Sequence, residues 1–226
     1  MEIEIKMMIK KIALTTLSLF SAPLLANAQQ SDREDWPDLS DPRAVYSSVG
    51  IAAGNDGVNL SATYGGYLNG LYKHKFTVEA MNDLEYYNVD YMVINANTET
   101  GFALESTWSR DNWKIEDHND TSVGIFTKIP LMGNQLNVYP KLDVGMIWGQ
   151  DVRSTTYVKI DATTRYNIDP MFWVGVTPTY TYAMKGYDLN EWEVSFDAGV
   201  QLSEAFSFIA HVDDDLDFSF DVVFTF

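Results

Sequence analysis

Three histidines, His74, His118 and His211, are the chain's candidates for a general base. Nucleophilic hydrolysis needs a hydroxyl within hydrogen-bond reach of such a base, and a third group to orient it. His211 comes nearest, with Ser207 on the same predicted face and Asp213 two residues on. In an extended strand Ser207 and His211 stand about 13 Å apart at ~3.3 Å per residue, too far for direct proton transfer. Carboxylates gather at Asp213, Asp214, Asp215 and Asp217, and again at Glu116, Asp117 and Asp120. Hard oxygens of this kind suit Ca²⁺, but the spaced loop with its central glycine is missing, so both clusters read as solvated loops. The chain has no cysteine, which removes disulfides and thiolate metal sites. A glycine-rich phosphate loop and a paired-histidine zinc motif are also lacking. No catalytic residue, metal or cofactor is expected.

The elements that carry these residues alternate in polarity. After Pro42 no apolar run reaches ~18 residues and no 3.6-residue period is sustained; apolar and polar residues take turns, broken by turn formers. Strands are expected at roughly Arg43 to Ala53, Gly57 to Tyr67, Gly70 to Ala80, Leu84 to Asn95, Gly101 to Ser109 and Thr121 to Ile129. Others follow at roughly Gln135 to Trp148, Ser154 to Tyr166, Met171 to Met184, Glu191 to Leu202, Ala205 to Val212 and Leu216 to Phe226. That makes about twelve. Trp192, Val194, Phe196, Ala198, Val200 and Leu202 oppose Glu193, Ser195, Asp197, Gly199 and Gln201, the signature of a sheet with one wet side. Pro140, Pro178 and His74 fall on the oily parity, where they fit only at a bulge, a strand end or interfacial depth.

The last eleven residues, LDFSFDVVFTF, place Leu216, Phe218, Phe220, Val222, Phe224 and Phe226 on one parity. This ending resembles the closing strand of Gram-negative outer-membrane β-barrel proteins, where a terminal Phe with alternating aromatics is the assembly signal. The resemblance implies an all-β, closed, antiparallel up-and-down transmembrane barrel. It also implies the barrel-assembly machinery as a partner through Phe226, and outer-membrane lipid and lipopolysaccharide as the surroundings. A twelve-stranded barrel is too wide for side chains to fill with one small core, so lipid is the expected destination of the oily face. Trp108, Trp148, Trp192, Tyr64, Tyr166 and Tyr182 fall near predicted strand ends, as aromatic girdles require. Small barrels of this strand count include specific channels for sugars or nucleosides, to which the chain is similar in length and strand number only. The His and Ser motifs of membrane phospholipases and lipid A deacylases, and the omptin protease arrangement, are not found.

Upstream, Lys10 and Lys11 precede the apolar run Ile12 to Leu25 and then Ala26-Asn27-Ala28, which reads as a secretory signal cleaved after Ala28. Residues 29–42 read as a polar periplasmic tail and 43–226 as the barrel. The whole chain carries a formal charge of −17; residues 1–28, with Lys6, Lys10 and Lys11 against Glu2 and Glu4, leave −18 on the remainder. Such a surface repels phosphates, which argues against nucleic acid. On the inner parity the acids Glu193, Asp197, Asp217 and Asp221 lie towards one wall. Lys73, Lys75, Lys128, Lys141, Lys159 and Arg165 lie towards another, interspersed with Asp143 and Asp161. Separated charge in a water-filled pore makes a transverse field for polar solutes, with acids favouring cations; the same charges could instead pair into a network that plugs the barrel. The expectation is a narrow porin-like passive channel for small hydrophilic solutes, with a plugged structural or surface-interaction barrel, or a membrane hydrolase, as alternatives.

Overall fold

Alternation needs partners on both sides of every strand, and the chain supplies them by closing on itself. The computed structural model describes residues 36, 38–110, 118–149 and 152–226; the expected signal at 1–28 and the acids Glu116 and Asp117 lie outside them. The strands are β1 (Ser48–Gly54), β2 (Gly57–Tyr67), β3 (Tyr72–Met81), β4 (Tyr86–Asn95), β5 (Gly101–Ser109), β6 (Asn119–Phe126) and β7 (Ile129–Leu131). They continue with β8 (Leu136–Trp148), β9 (Thr155–Asn167), β10 (Phe172–Lys185), β11 (Asn190–Ser203), β12 (Phe206–Asp213) and β13 (Phe218–Thr225). Consecutive strands pair antiparallel except β6 with β7, which both pair with β8; β1 also pairs with β13. Thus β6 and β7 share one position, and the wall is a closed ring of twelve staves. Closure leaves no edge strand whose N–H and C=O groups would need water.

One end of the barrel, here called proximal, carries the start of β1 and the finish of β13, where the Phe226 N–H donates to the Ser47 carbonyl at 3.1 Å. The other, distal, end carries the longer connections after β5 and β8 and the acidic turn between β12 and β13.

The oily parity points outward. Ile51, Leu60, Val144, Ile160 and Phe220 are all exposed on it, and so are Trp108, Trp192, Tyr64, Tyr166 and Tyr182. Trp148 caps the outer face at the distal end, its indole N–H donating to Thr121 Oγ1 at 3.2 Å. His74 also points outward, three residues along β3 from its proximal end, edge-on to the rings of Tyr64 and Tyr91 with centroids 5.8 and 6.0 Å away. That is the interfacial depth its polarity requires.

Both prolines are placed where a donor is dispensable. The Pro140 carbonyl accepts from Thr127 N–H at 3.2 Å, so its missing N–H faces the break between β6 and β7. The ladder from β10 to β9 skips Thr177 and Pro178, resuming at Thr179 opposite Asp161. The strand expected over Thr121 to Ile129 is therefore interrupted at Thr127 and Lys128 by the proline on its neighbour.

The first strand begins later than its pattern suggests. A strand is expected from Arg43, but β1 starts only at Ser48, opposite Thr225 of β13. Pairing with β2 stops at the same residue, Ser48 opposite Thr63, although β2 runs on to Tyr67. The residues before Ser48 turn inward instead.

Candidate functional site

The inward parity divides into two unlike halves. From β5 to β9 it is packed: Ala103, Ser122, Phe126, Tyr139, Asp143, Thr155 and Tyr157 are all buried. Within this half Lys141 forms an ion pair with Glu105 and stands 3.2 Å from Asp143. Lys159 reaches the other oxygen of Glu105 at 3.6 Å. The Tyr157 hydroxyl donates to Asp120 at 2.6 Å. Charges this close and this dry neutralise one another and leave little field for a passing solute.

The second half runs from the distal part of β11 through β12, β13, β1 and β2 to β3. Its inward side chains include the small or hydroxylated Ala52, Ser61, Thr63, Thr77 and Ser219, which keep partial exposure, while Glu193 and His211 are exposed. Asp221 accepts from the Ser219 hydroxyl at 3.2 Å, and Glu79 accepts from the Asn88 amide at 3.1 Å. Among the described residues, none of Glu193, Asp221 and Glu79 has a cationic partner within salt-bridge distance.

Between the halves Arg165 of β9 and Asp197 of β11 approach to 3.1 Å across β10. Gly175 lies level with both in the ladder, and a Cβ there would come within 2.6 Å of the Asp197 carboxylate. The absent side chain is what lets the pair meet. Gly175→Val is expected to part it and to destabilise the fold by about 1–3 kcal/mol, as overpacking of a filled site does; urea titration of the folded barrel measures the loss.

The third component is a strap, Asp38 to Ser47, lying within the proximal mouth. Arg165 donates to the Ser40 carbonyl at 2.9 Å and Lys75 to the Pro42 carbonyl at 2.7 Å. Lys128 pairs with Asp41 at 2.9 Å, with Glu99 3.7 Å away. Arg43 donates to the Thr127 carbonyl and stands over the rings of Phe126 and Tyr139, 4.5 and 4.8 Å from their centroids. Val45 packs on the buried cluster of Ile94, Ala103 and Phe126. Burial pushes the Tyr46 phenol up to about 12, so it remains neutral. These wall partners, Phe126 and Ala103 among them, sit near the proximal ends of their strands. Closed wall, accessible half and strap are together the lumen of a transmembrane-type barrel.

The fold is that of outer-membrane β-barrels. The chain is similar to an outer membrane channel from Pseudomonas putida F1, with a TM-score of 0.60 and 11% identity over 86% of this chain and 99% of that one. It is similar to the NanC porin, with a TM-score of 0.54 and 11% identity over 81% and 99%. A third is the KdgM porin in complex with disordered oligogalacturonate, with a TM-score of 0.56 and 8% identity over 80% and 99%. No family model and no curated protein matches the sequence.

Against the expected residues, the placement is uneven. Glu193 and Asp221 stand on the accessible half, whereas Asp197 is buried against Arg165. Asp217 lies in the distal turn just before β13, accepting from the Asn55 amide, and so belongs to the rim. Lys141, Lys159 and Arg165 are in ion pairs within the wall, Lys75 and Lys128 hold the strap, and Lys73 lies 5.4 Å from the Tyr67 ring centroid. Sequence reasoning did not single out Glu105, Glu79, Asp41 or Arg43. The first two share the inward parity of their strands, which was a usable signal; the strap residues had none, because they belong to no strand. Ser207 and His211 remain four residues apart on β12, with Ser207 opposite Gln201 and Val223, and His211 opposite Asp197 and Ser219. No hydroxyl–imidazole dyad forms there.

Proposed function

We propose that the protein is a narrow porin-like passive channel of the bacterial outer membrane that carries small hydrophilic solutes and favours cations. The observation that carries this reading is the accessible, hydroxyl-lined half of the lumen with its unpaired acids Glu193, Asp221 and Glu79. Five of the expected basic residues, Lys75, Lys128, Lys141, Lys159 and Arg165, are engaged by the wall or the strap. Lys73 at the proximal end of β3 is the sixth; beyond it the accessible half presents the acids Glu193, Asp221 and Glu79, and acids lining a pore attract cations and repel anions. The band of exposed apolar residues around the outside supports a lipid setting, since a soluble surface rarely leaves so much apolar area bare. Export by the signal at 1–28 and assembly through the strand ending at Phe226 complete the proposal.

The test is conductance of the purified protein in planar bilayers under a KCl gradient. A reversal potential of the sign for cation preference is expected, falling towards zero in the Glu193→Gln/Asp221→Asn double variant with conductance retained. Anion preference, or a reversal potential that the double variant leaves unchanged, refutes the assignment. The strap favours a second reading, a closed barrel whose working part is its external loops; bilayers silent with and without the strap would select it.

A further inference from the structure

We propose that Asp38 to Ser47 is a displaceable strap that sets the bore of the proximal mouth, with Arg43 as its pin; this rests on the channel reading above.

The strap is in the lumen but not of the wall. It contains no strand, and the ring closes through β1 with β13 and β6 with β8 without it. What holds it is a set of polar contacts from separate staves: Arg165 on β9, Lys75 on β3, Lys128 between β6 and β7, and the Thr127 carbonyl. Contacts of this type form and break without disturbing the ladder, and salt weakens those that water reaches.

The wall is shaped to receive it. At the break, Pro140 has no N–H to give the Thr127 carbonyl, which accepts from Arg43 of the strap, while the adjacent Lys128 ammonium pairs with Asp41. Gly65 on β2 leaves the space that the Tyr46 backbone occupies: a Cβ at Gly65 would come within 2.6 Å of Tyr46 N and O. The Ser47 hydroxyl accepts from the Gly65 N–H at 3.3 Å. At the centre, the Arg43 guanidinium is held by two aromatic faces and a carbonyl, an arrangement that a lysine ammonium would reproduce only in part. Leu39 and Ser40 are buried behind it, although they precede the first strand. A chain segment that spans the mouth from the β9 wall to the β1 wall occupies cross-section through which a solute would otherwise pass.

The chain has no cysteine, so a single Ser40→Cys reports on the strap alone. In vesicles, labelling of that thiol by a hydrophilic maleimide is expected to be slow, and at least tenfold faster once Arg43→Ala is added. Arg43→Lys should give an intermediate rate. Single-channel conductance in planar bilayers is expected to rise at least twofold in Arg43→Ala, and again in a variant lacking residues 38–42. Retained heat-modifiable mobility on gels identifies variants whose barrel has folded, and the deletion variant serves if Arg43→Ala has not. Labelling that neither variant accelerates overturns the pin. Faster labelling with unchanged conductance, in a protein that conducts, overturns the bore-setting role alone. Faster labelling with silent bilayers throughout overturns the channel reading and this role with it.

Discussion

Lys141→Met lowers the stability of the folded barrel by about 3 kcal/mol or more, the cost of stranding buried carboxylates whose cation has been removed. The Lys141 side chain is 11% exposed and serves two acids, Glu105 and Asp143, of which Asp143 is 1% exposed. Among the described residues Asp143 has no other cation within ion-pair distance, whereas Glu105 keeps Lys159 at 3.6 Å. Methionine preserves the length and most of the volume, so packing is little disturbed and the loss isolates charge. Asp143 also lies against Gly124, whose absent side chain brings the carboxylate up to the β6 backbone and away from water. Urea unfolding of the reconstituted protein, followed by tryptophan fluorescence, measures the change. The triple variant Lys141→Met/Glu105→Gln/Asp143→Asn is expected to recover most of it, because neutral amides carry no charge to desolvate. A loss below about 1 kcal/mol in the single variant would mean that water reaches this part of the wall.

That network also shows where sequence reasoning reached its limit. Period-two alternation located the staves because lipid outside and water or polar groups inside impose it on every strand; β2 and β5 begin and end where the pattern says they should. It failed where a strand's fate depends on its surroundings. The strand expected from Arg43 starts only at Ser48: the residues before it leave the ladder although β2 runs on to Tyr67, and contacts inside the mouth hold them instead. The run Thr121 to Ile129 is broken by Pro140, which lies on a different stave. Parity placed Glu193, Asp221, Lys141 and Arg165 on the inner side. It could not say that Arg165 crosses a glycine to reach Asp197, or that Lys75 and Lys128 are taken up by the strap. Acid and base were expected to tend towards different walls, yet only β10 separates Glu193 of β11 from Lys159 of β9. Whether such charges are wet or paired is a matter of distances, and these emerge only when the ring closes.

Ile160→Arg is expected to destabilise the barrel by about 2–4 kcal/mol, the cost of an arginine on the lipid face near the bilayer midplane. Ile160 lies near the middle of β9, between Leu142 of β8 and Tyr180 of β10, and is 51% exposed on the outer face. Its guanidinium would have no acid beside it and no water to enter. Thr179→Arg supplies the contrast. Thr179 points inward on β10, opposite Asp161 of β9 and Glu193 of β11, so an arginine there meets two carboxylates. Its effect on stability is expected to stay within about 0.5 kcal/mol, the range of substitutions that disturb no buried feature, while cation preference falls because a positive charge enters the acidic half. The same side chain is thus costly on one parity and tolerated on the other. Equal costs at the two positions, read by urea unfolding in lipid vesicles, would contradict the outward assignment of the oily face, and a soluble fold with a filled interior would reverse their order.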